Sequence, residues 1–362
     1  MGTRTSSSTN IRYLTALRAL QPLVIFLALA GLPFAFAAET TRFWQGVLIQ
    51  IYILAVYALS YDLLLGYTGI ISFGHALFLG GGAYTTAILL RGDSPPPMVL
   101  VVLAVIAVGL LLGGLVGALS LRVSGVYFSM ITLALAEIVF ILFRADDPKL
   151  KPFTGGELGL QGIQTPAAID PTAFRLRFYF LALGFMAALY LIARRIVSSP
   201  TGRVFVAVRE NEHRATALGY NTFVYKLCAT MLSATIAALA GMMLGLYDKS
   251  VTYELFSVNI TIQALLMTII GGIGTLSGPL VGAATIRLLD QWLKSDTLRA
   301  ILPVWLRSDL LFGLVYIALV LFFPAGIMGA INRLRGKRAR TTIEHLRQSV
   351  TPTAVDAEGQ TR

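Results

Sequence analysis

Long apolar runs set the pattern of this chain. Runs of about 18 to 25 residues alternate with short polar connections, longer than a buried core helix needs and matched to the thickness of a bilayer. They predict helical spans near 20–38, 44–65, 70–90, 97–121, 125–143, 176–197, 226–247, 258–273, 276–293 and 309–328. The pair 258–273 and 276–293 can also be read as a re-entrant hairpin. The expected fold class is all-α: a polytopic transmembrane helical bundle of about ten spans. It forms one membrane domain, 20–330, between a tail at 1–19 and a basic, disordered tail at 331–362.

One polar stretch, 198–226, separates two apolar blocks. Ser199-Pro200 reads as a helix N-cap with proline at the first helical position. Gly219 reads as the stop, since glycine accepts the left-handed cap conformation. Val204, Val208, Ala215 and Leu218 recur near helical spacing, and Glu210 with Arg214 forms a favourable i,i+4 pair. A short amphipathic helix is therefore expected between the blocks, either as a solvated loop or as a docking helix for a cytosolic partner.

Charge orients the bundle. Arg4, Arg12 and Arg18 precede the first span with no acid among them. Arg194, Arg195, Arg203, Arg209, Arg214 and Lys226 outnumber Glu210 and Glu212 in the central stretch, and basic residues dominate after Met328. All three regions are expected in the cytoplasm, which requires an even number of spans on each side of the central stretch. Six and four satisfy this, although Lys294 to Arg307 would then lie outside while net basic. Ala35-Phe-Ala37 mimics a signal-peptidase site, but the many later spans favour an uncleaved first helix.

The connection at 144–175 is the longest external loop, and Thr154, Gly155 and Gly156 open its glycine-rich run as a candidate receptor contact. Glycines also crowd the hairpin that joins the second and third spans. Gly66, Gly69 and Ser72 repeat the spacing of Gly271, Gly274 and Ser277. Corresponding glycine-interrupted segments in two halves can mark a transport site.

Composition agrees with the spans: 56% of the residues are hydrophobic and 13% charged, against roughly 25% charged in soluble proteins. The net charge of +11 then points to cytosolic loops and lipid headgroups, not nucleic acid. The lone Cys228 permits no intrachain disulfide and is expected to be a packing residue. There is no G-x-x-x-x-G-K-[ST] for ATP, no H-E-x-x-H and no G-x-S-x-G. His75, His213 and His345 are too scattered for a metal site, so no enzyme and no cofactor is expected. Inside the spans Glu137 stands out, because a charged side chain at mid-bilayer costs about 2.5–3.5 kcal/mol and must face other helices or water. Asp62 and His75 are expected near the mouth of the glycine hairpin, and Arg287 can pair with Asp290. Ser72, Gly74, His75, Tyr127, Thr132 and Glu137 are the candidate path residues.

GYTGIISFGHALFLGGGAY, RVSGVYFSMITLALAEI, TGGELGLQG, SPTGRVFVAVRENEHRATALGYN, MTIIGGIGTLSGPLVGA and the closing Phe323-Pro-Ala-Gly-Ile-Met-Gly329 occur in this order. Together they resemble the branched-chain amino-acid ABC-transporter permease family, in its LivM-type subunit, over about residues 44 to 330. The resemblance implies a membrane subunit of an importer in a bacterial or archaeal inner or plasma membrane. It also implies a LivH-type permease partner, two separate cytosolic ATPase subunits and an extracytoplasmic substrate-binding protein. The central stretch would then be the coupling helix, with Arg209, Glu210, Asn211, Glu212, Arg214, Ala215 and Gly219 toward the ATPase. It departs from the general E-A-A-x-x-x-G pattern: Glu212 stands seven positions before Gly219, and Arg214-Ala215 replaces the paired alanines. Relatives carry amino acids, urea or short amides, so the cargo stays open. A channel or secondary carrier without ATPases, and a structural scaffold, are the other classes.

Overall fold

The computed structural model describes residues 29–31, 38–92, 94–294, 313–314, 317, 321 and 326–330. Most of the expected first and last spans, both tails and most of Lys294 to Arg307 lie outside these residues. The described elements are helical apart from one two-residue strand pairing. They are α1 (Ala38–Thr68), α2 (His75–Leu90), α3 (Met98–Ser120), α4 (Val126–Arg144), the single turn α5 (Lys151–Thr154), α6 (Arg175–Ser198), α7 (Pro200–Glu210), α8 (Glu212–Ala217), α9 (Thr222–Asp248), α10 (Val258–Gly271) and α11 (Gly278–Leu293). The strands β1 (Leu160–Gln161) and β2 (Ser250–Val251) pair antiparallel, Leu160 opposite Val251.

Five of the described helices are long and apolar enough to cross a membrane: Thr41–Thr68 within α1, then α3, α4, α6 and α9. The helices α2 and α10 are apolar but shorter, at 16 and 14 residues. At about 1.5 Å per residue they fall short of a hydrocarbon core roughly 30 Å thick. The span expected at 70–90 accordingly starts only at His75, because residues 69–74 are not helical.

The helix ends gather at two poles. At one pole lie the 66–74 and 272–277 connections and the helices α7 and α8. At the other, Gln164 N donates to Leu90 O, Ile163 N donates to Lys249 O, and β1 meets β2. There the long 145–174 loop is pinned onto the bundle by the Lys249–Asp170 ion pair at 2.8 Å and by Arg144–Glu157 at 3.8 Å, while Lys151–Asp146 at 2.8 Å closes the loop on itself. Lys249, with Thr172, holds the Asp170 carboxyl well below the usual carboxylate range. Gly155, Gly156 and Gly159 all have positive φ, which fits their clustering in the sequence.

Two helices form the axis. α1 has 83% of its apolar window buried and α9 61%, whereas α4 has 22%. Small residues let the neighbours close on α9. Gly109, Gly113 and Gly117 follow one another four apart on α3. A methyl group added at Gly109 would lie 2.7 Å from Thr235 Cα, and at Gly113 2.7 Å from Ala234 Cβ. Arg287 pairs with Asp290 at 2.6 Å, as the spacing allows. Cys228 is exposed on the surface of the chain, contrary to the expected packing role.

A candidate translocation and coupling site

The glycine hairpin builds the centre of the site. α1 ends at Thr68, and Gly69 at φ 74 turns the chain while its N–H donates to Leu65 O at 3.1 Å. Residues 69–74 then run without helical bonds until α2 starts at His75. Neighbouring helices satisfy the freed backbone. Ser129 Oγ of α4 donates to Ile71 O at 2.7 Å, Thr132 Oγ1 accepts from Phe73 N at 3.2 Å, and Tyr61 Oη donates to Ser72 O at 3.1 Å. Ala76 N donates to Thr261 Oγ1 of α10 at 2.9 Å. Non-helical backbone is tolerated at membrane depth only with such partners.

Asp62 and His75 do not sit at the mouth of the hairpin; both are fully buried. His75 Nε2 lies 2.8 Å from Ser60 Oγ, and its ring is framed by Tyr57, Tyr61 and Phe78. Asp62 is one turn before Gly66 and accepts from Gly274 N at 2.7 Å and Leu276 N at 3.3 Å. Its carboxylate thus caps the loop after α10, where Leu276 carries the left-handed φ of 52°. The G-x-x-G-x-x-S echo between 66–72 and 271–277 is also a contact: a methyl at Gly66 would lie 2.6 Å from Gly274 N. Gly326, at positive φ, packs on Gly272 in the same place.

The candidate path residues divide between two environments. Ser72, Gly74, His75 and Thr132 are buried in the seam between α1, α2 and α4. Tyr127 and Glu137 are exposed on the other side of α4, with Met130, Ile138 and Ile141. These five recur at helical spacing, so they form one outward face that carries a carboxylate.

The central stretch starts and stops as expected but is two helices, not one. Ser199 Oγ accepts from Gly202 N at 3.2 Å, and Gly219 has φ 90°. At Asn211 the backbone is extended, and its Oδ1 accepts from Arg214 N at 2.9 Å, starting α8. A side chain that caps so well competes with continuing the helix. Glu210 and Arg214 therefore fall in different helices and lose their i,i+4 relation, while Glu212 pairs with Lys226 at 2.6 Å. Val204, Val208 and Ala215 are buried together against Tyr225, so Ala215 faces inward. Arg209 is exposed as a residue, yet its Nη1 donates to Gly66 O. Glu210, Asn211, Arg214 and Gly219 remain exposed.

At the opposite pole Thr154 is buried, and Gly155 borders a shallow basin of about 570 Å³ lined by Arg91, Lys151, Leu158 and Gln161. Gly156 packs on Asp146. Among the described residues no group of His, Cys, Asp and Glu could hold a metal ion.

A family model described as branched-chain amino acid transport system / permease component matches residues 43–322. The chain belongs to that family. The permease is similar to the probable branched-chain amino acid transport permease protein LivM of Methanocaldococcus jannaschii, 25% identical over 316 residues that cover 75% of this chain and 89% of the relative. It is similar to the high-affinity branched-chain amino acid transport system permease protein LivM of Escherichia coli, 26% identical over 310 residues, 78% of this chain and 68% of the relative. The autoinducer 2 import system permease protein LsrC of Shigella flexneri is 27% identical over 240 residues, 64% of each chain. No solved structure matches the permease.

Proposed function

We propose that this permease is the LivM-type subunit of an ABC importer, moving branched-chain or other amino acids across the inner or plasma membrane. It works with a LivH-type permease, two cytosolic ABC ATPases and an extracytoplasmic binding protein. The N-terminal tail, the 198–226 segment and the C-terminal tail lie in the cytoplasm, and 20–330 forms the membrane domain with about ten spans.

The observation that carries this reading is the outward face of α4. Glu137 is exposed on a helix long and apolar enough to cross a membrane. A carboxylate facing lipid there is costly, so the face needs a protein or a wet path against it. A second permease meeting α4 supplies both, with Tyr127 and Glu137 on the solute path and the Ser72–Thr132 seam behind it. The solvent face of α7 and α8, with Glu210, Asn211, Glu212, Arg214 and Gly219, receives the ATPase. The basin beside Gly155, with the exposed Lys151, Leu158 and Gln161 around it, contacts the binding protein, and the buried Thr154 and Gly156 shape the turn beneath.

The cargo follows the LivM relatives. A zwitterion can be held by helix termini and small polar groups without fixed ions. Urea or a short amide needs only neutral hydrogen-bond partners and is the alternative. Uptake of labelled leucine and of urea, in cells lacking their native systems, decides between them. Leucine uptake that requires the ATPases is expected. Uptake without any ATPase would mean a channel or carrier instead.

A further inference from the structure

The side chain of Arg209 bridges elements that are far apart in sequence. α1 has no basic residue in its last turn, and its final carbonyls lack partners within the helix. Gly66 O is one of them, and Arg209 Nη1 caps it from α7. A cation at a helix C-terminus is also favoured by the helix dipole. The arginine stem crosses Gly69, where a methyl group would stand 3.1 Å from Arg209 Cγ. The guanidinium lies against Gly274: a methyl there would be 3.0 Å from both Arg209 Nη1 and Gly66 O. One turn back, Asp62 holds Gly274 N and Leu276 N.

Four segments thus meet in one place: the end of α1 and the loop from α10 to α11 touch backbone to backbone, Gly326 sits on Gly272, and the end of α7 joins them through the Arg209 side chain. Glycine at 66 and 326 is required by contact, and at 69, 272, 274 and 326 by positive φ. Backbone contact between Gly66 and Gly274 passes displacement between α1 and the 272–277 loop stiffly, and Arg209, fixed at Gly66 O, is the link from α7 to both.

We propose that Arg209 and Asp62 form a pin that makes α7 move both glycine loops as one body, so that Arg209 is a positioning residue for transport and not a contact for the ATPase. The pin rests on the importer reading given above. It places the lever inside the chain: α7 is pushed from its outer face, and Arg209 passes that push to Gly66 and, through Asp62, to the loop at 272–277.

The test uses the whole importer complex in proteoliposomes with its binding protein. Hydrolysis of ATP and uptake of labelled leucine, or of urea if that is what the wild type accumulates, are measured side by side. Arg209→Ala is expected to co-purify with its ATPases and keep stimulated hydrolysis within about twofold of wild type. Its uptake is expected to fall about tenfold or more, a loss of coupling that a merely structural cap would not produce. Arg209→Lys, which keeps one donor for Gly66 O, should recover part of the uptake. Asp62→Asn, with only one carbonyl oxygen to accept two N–H groups, should uncouple in the same way. Parallel loss of co-purification, hydrolysis and uptake in Arg209→Ala would make Arg209 an ATPase dock and overturn the pin while leaving the importer reading intact. Unchanged uptake would overturn the pin as well. A wild-type complex with no stimulated hydrolysis would overturn the importer reading, and the pin with it.

Discussion

Residues 66–74 and 271–278 carry two glycines and a serine at the same spacing and lie against each other at one pole, yet they are held from opposite sides. The first loop hangs on α4 through Ser129 and Thr132. The second hangs on α1 through Asp62. α4 is the least buried of the long apolar helices and α1 the most. The first loop is therefore exposed to events on the outward face of α4, where a partner subunit is proposed. The second moves only with the core, or with α7 through Arg209.

The strongest way to break this asymmetry is to part the two loops. Gly66→Val would place a side chain 2.6 Å from Gly274 N and 2.8 Å from Asp62 Cγ. The Gly274 backbone cannot retreat and Asp62 could do so only by giving up its hydrogen bonds to the second loop, so folded protein in the membrane should fall to a small fraction of wild type by quantitative blotting. Asp62→Ala should rank next. It strands the buried Leu276 N–H at about 1–3 kcal/mol and frees the half-buried Gly274 N–H, visible as a lowered detergent-melting temperature. Near-wild-type melting would mean that the carboxylate does not hold the second loop.

Thr132→Val attacks the first loop alone. It removes the acceptor for Phe73 N, worth about 0.6–1.7 kcal/mol for a membrane hydrogen bond. Melting should shift less than for Asp62→Ala, and uptake should fall more than stability does, because the lost bond faces the proposed path. The smallest effect belongs to the far pole. Asp170 has its pKa depressed by Lys249, so its contribution is complete above the unfolded carboxylate value near ~3.9. It is lost only as pH falls through the lower folded value. Between pH 8 and 5 the loop at 145–174 should resist proteolysis equally well. Asp170→Asn should cost about 0.2–1 kcal/mol at pH 7, as for other solvent-accessible pairs.

Much of the fold was legible because hydropathy reports desolvation directly. The expected spans 97–121, 125–143 and 176–197 match α3, α4 and α6 within one or two residues. The errors share one cause: apolar runs do not say which neighbour satisfies a backbone group. Residues 70–74 read as membrane span, yet Ser129 and Thr132 from sixty residues away unwind them. Asp62 read as a residue near a mouth because its acceptor role depends on two N–H groups in residues 274–276. The two glycine stretches lie in contact, a fact their shared spacing does not itself state. Asn211 shows the same limit locally, since a residue that can cap a helix can also interrupt one.

The central claim is that ATPase motion enters through α7. Ala207 is exposed in the middle of that helix, and its carbonyl accepts from Asn211 N at 3.0 Å. Ala207→Pro removes a helical N–H and should cost about 3 kcal/mol locally, while the spans keep their own helical hydrogen bonds. The deciding measurement is uptake and substrate-stimulated ATP hydrolysis of this variant, each normalised to the amount of permease inserted. The account predicts near-normal insertion with both activities strongly reduced. Normal insertion with full uptake would contradict it and would make the 199–219 segment a passive connection.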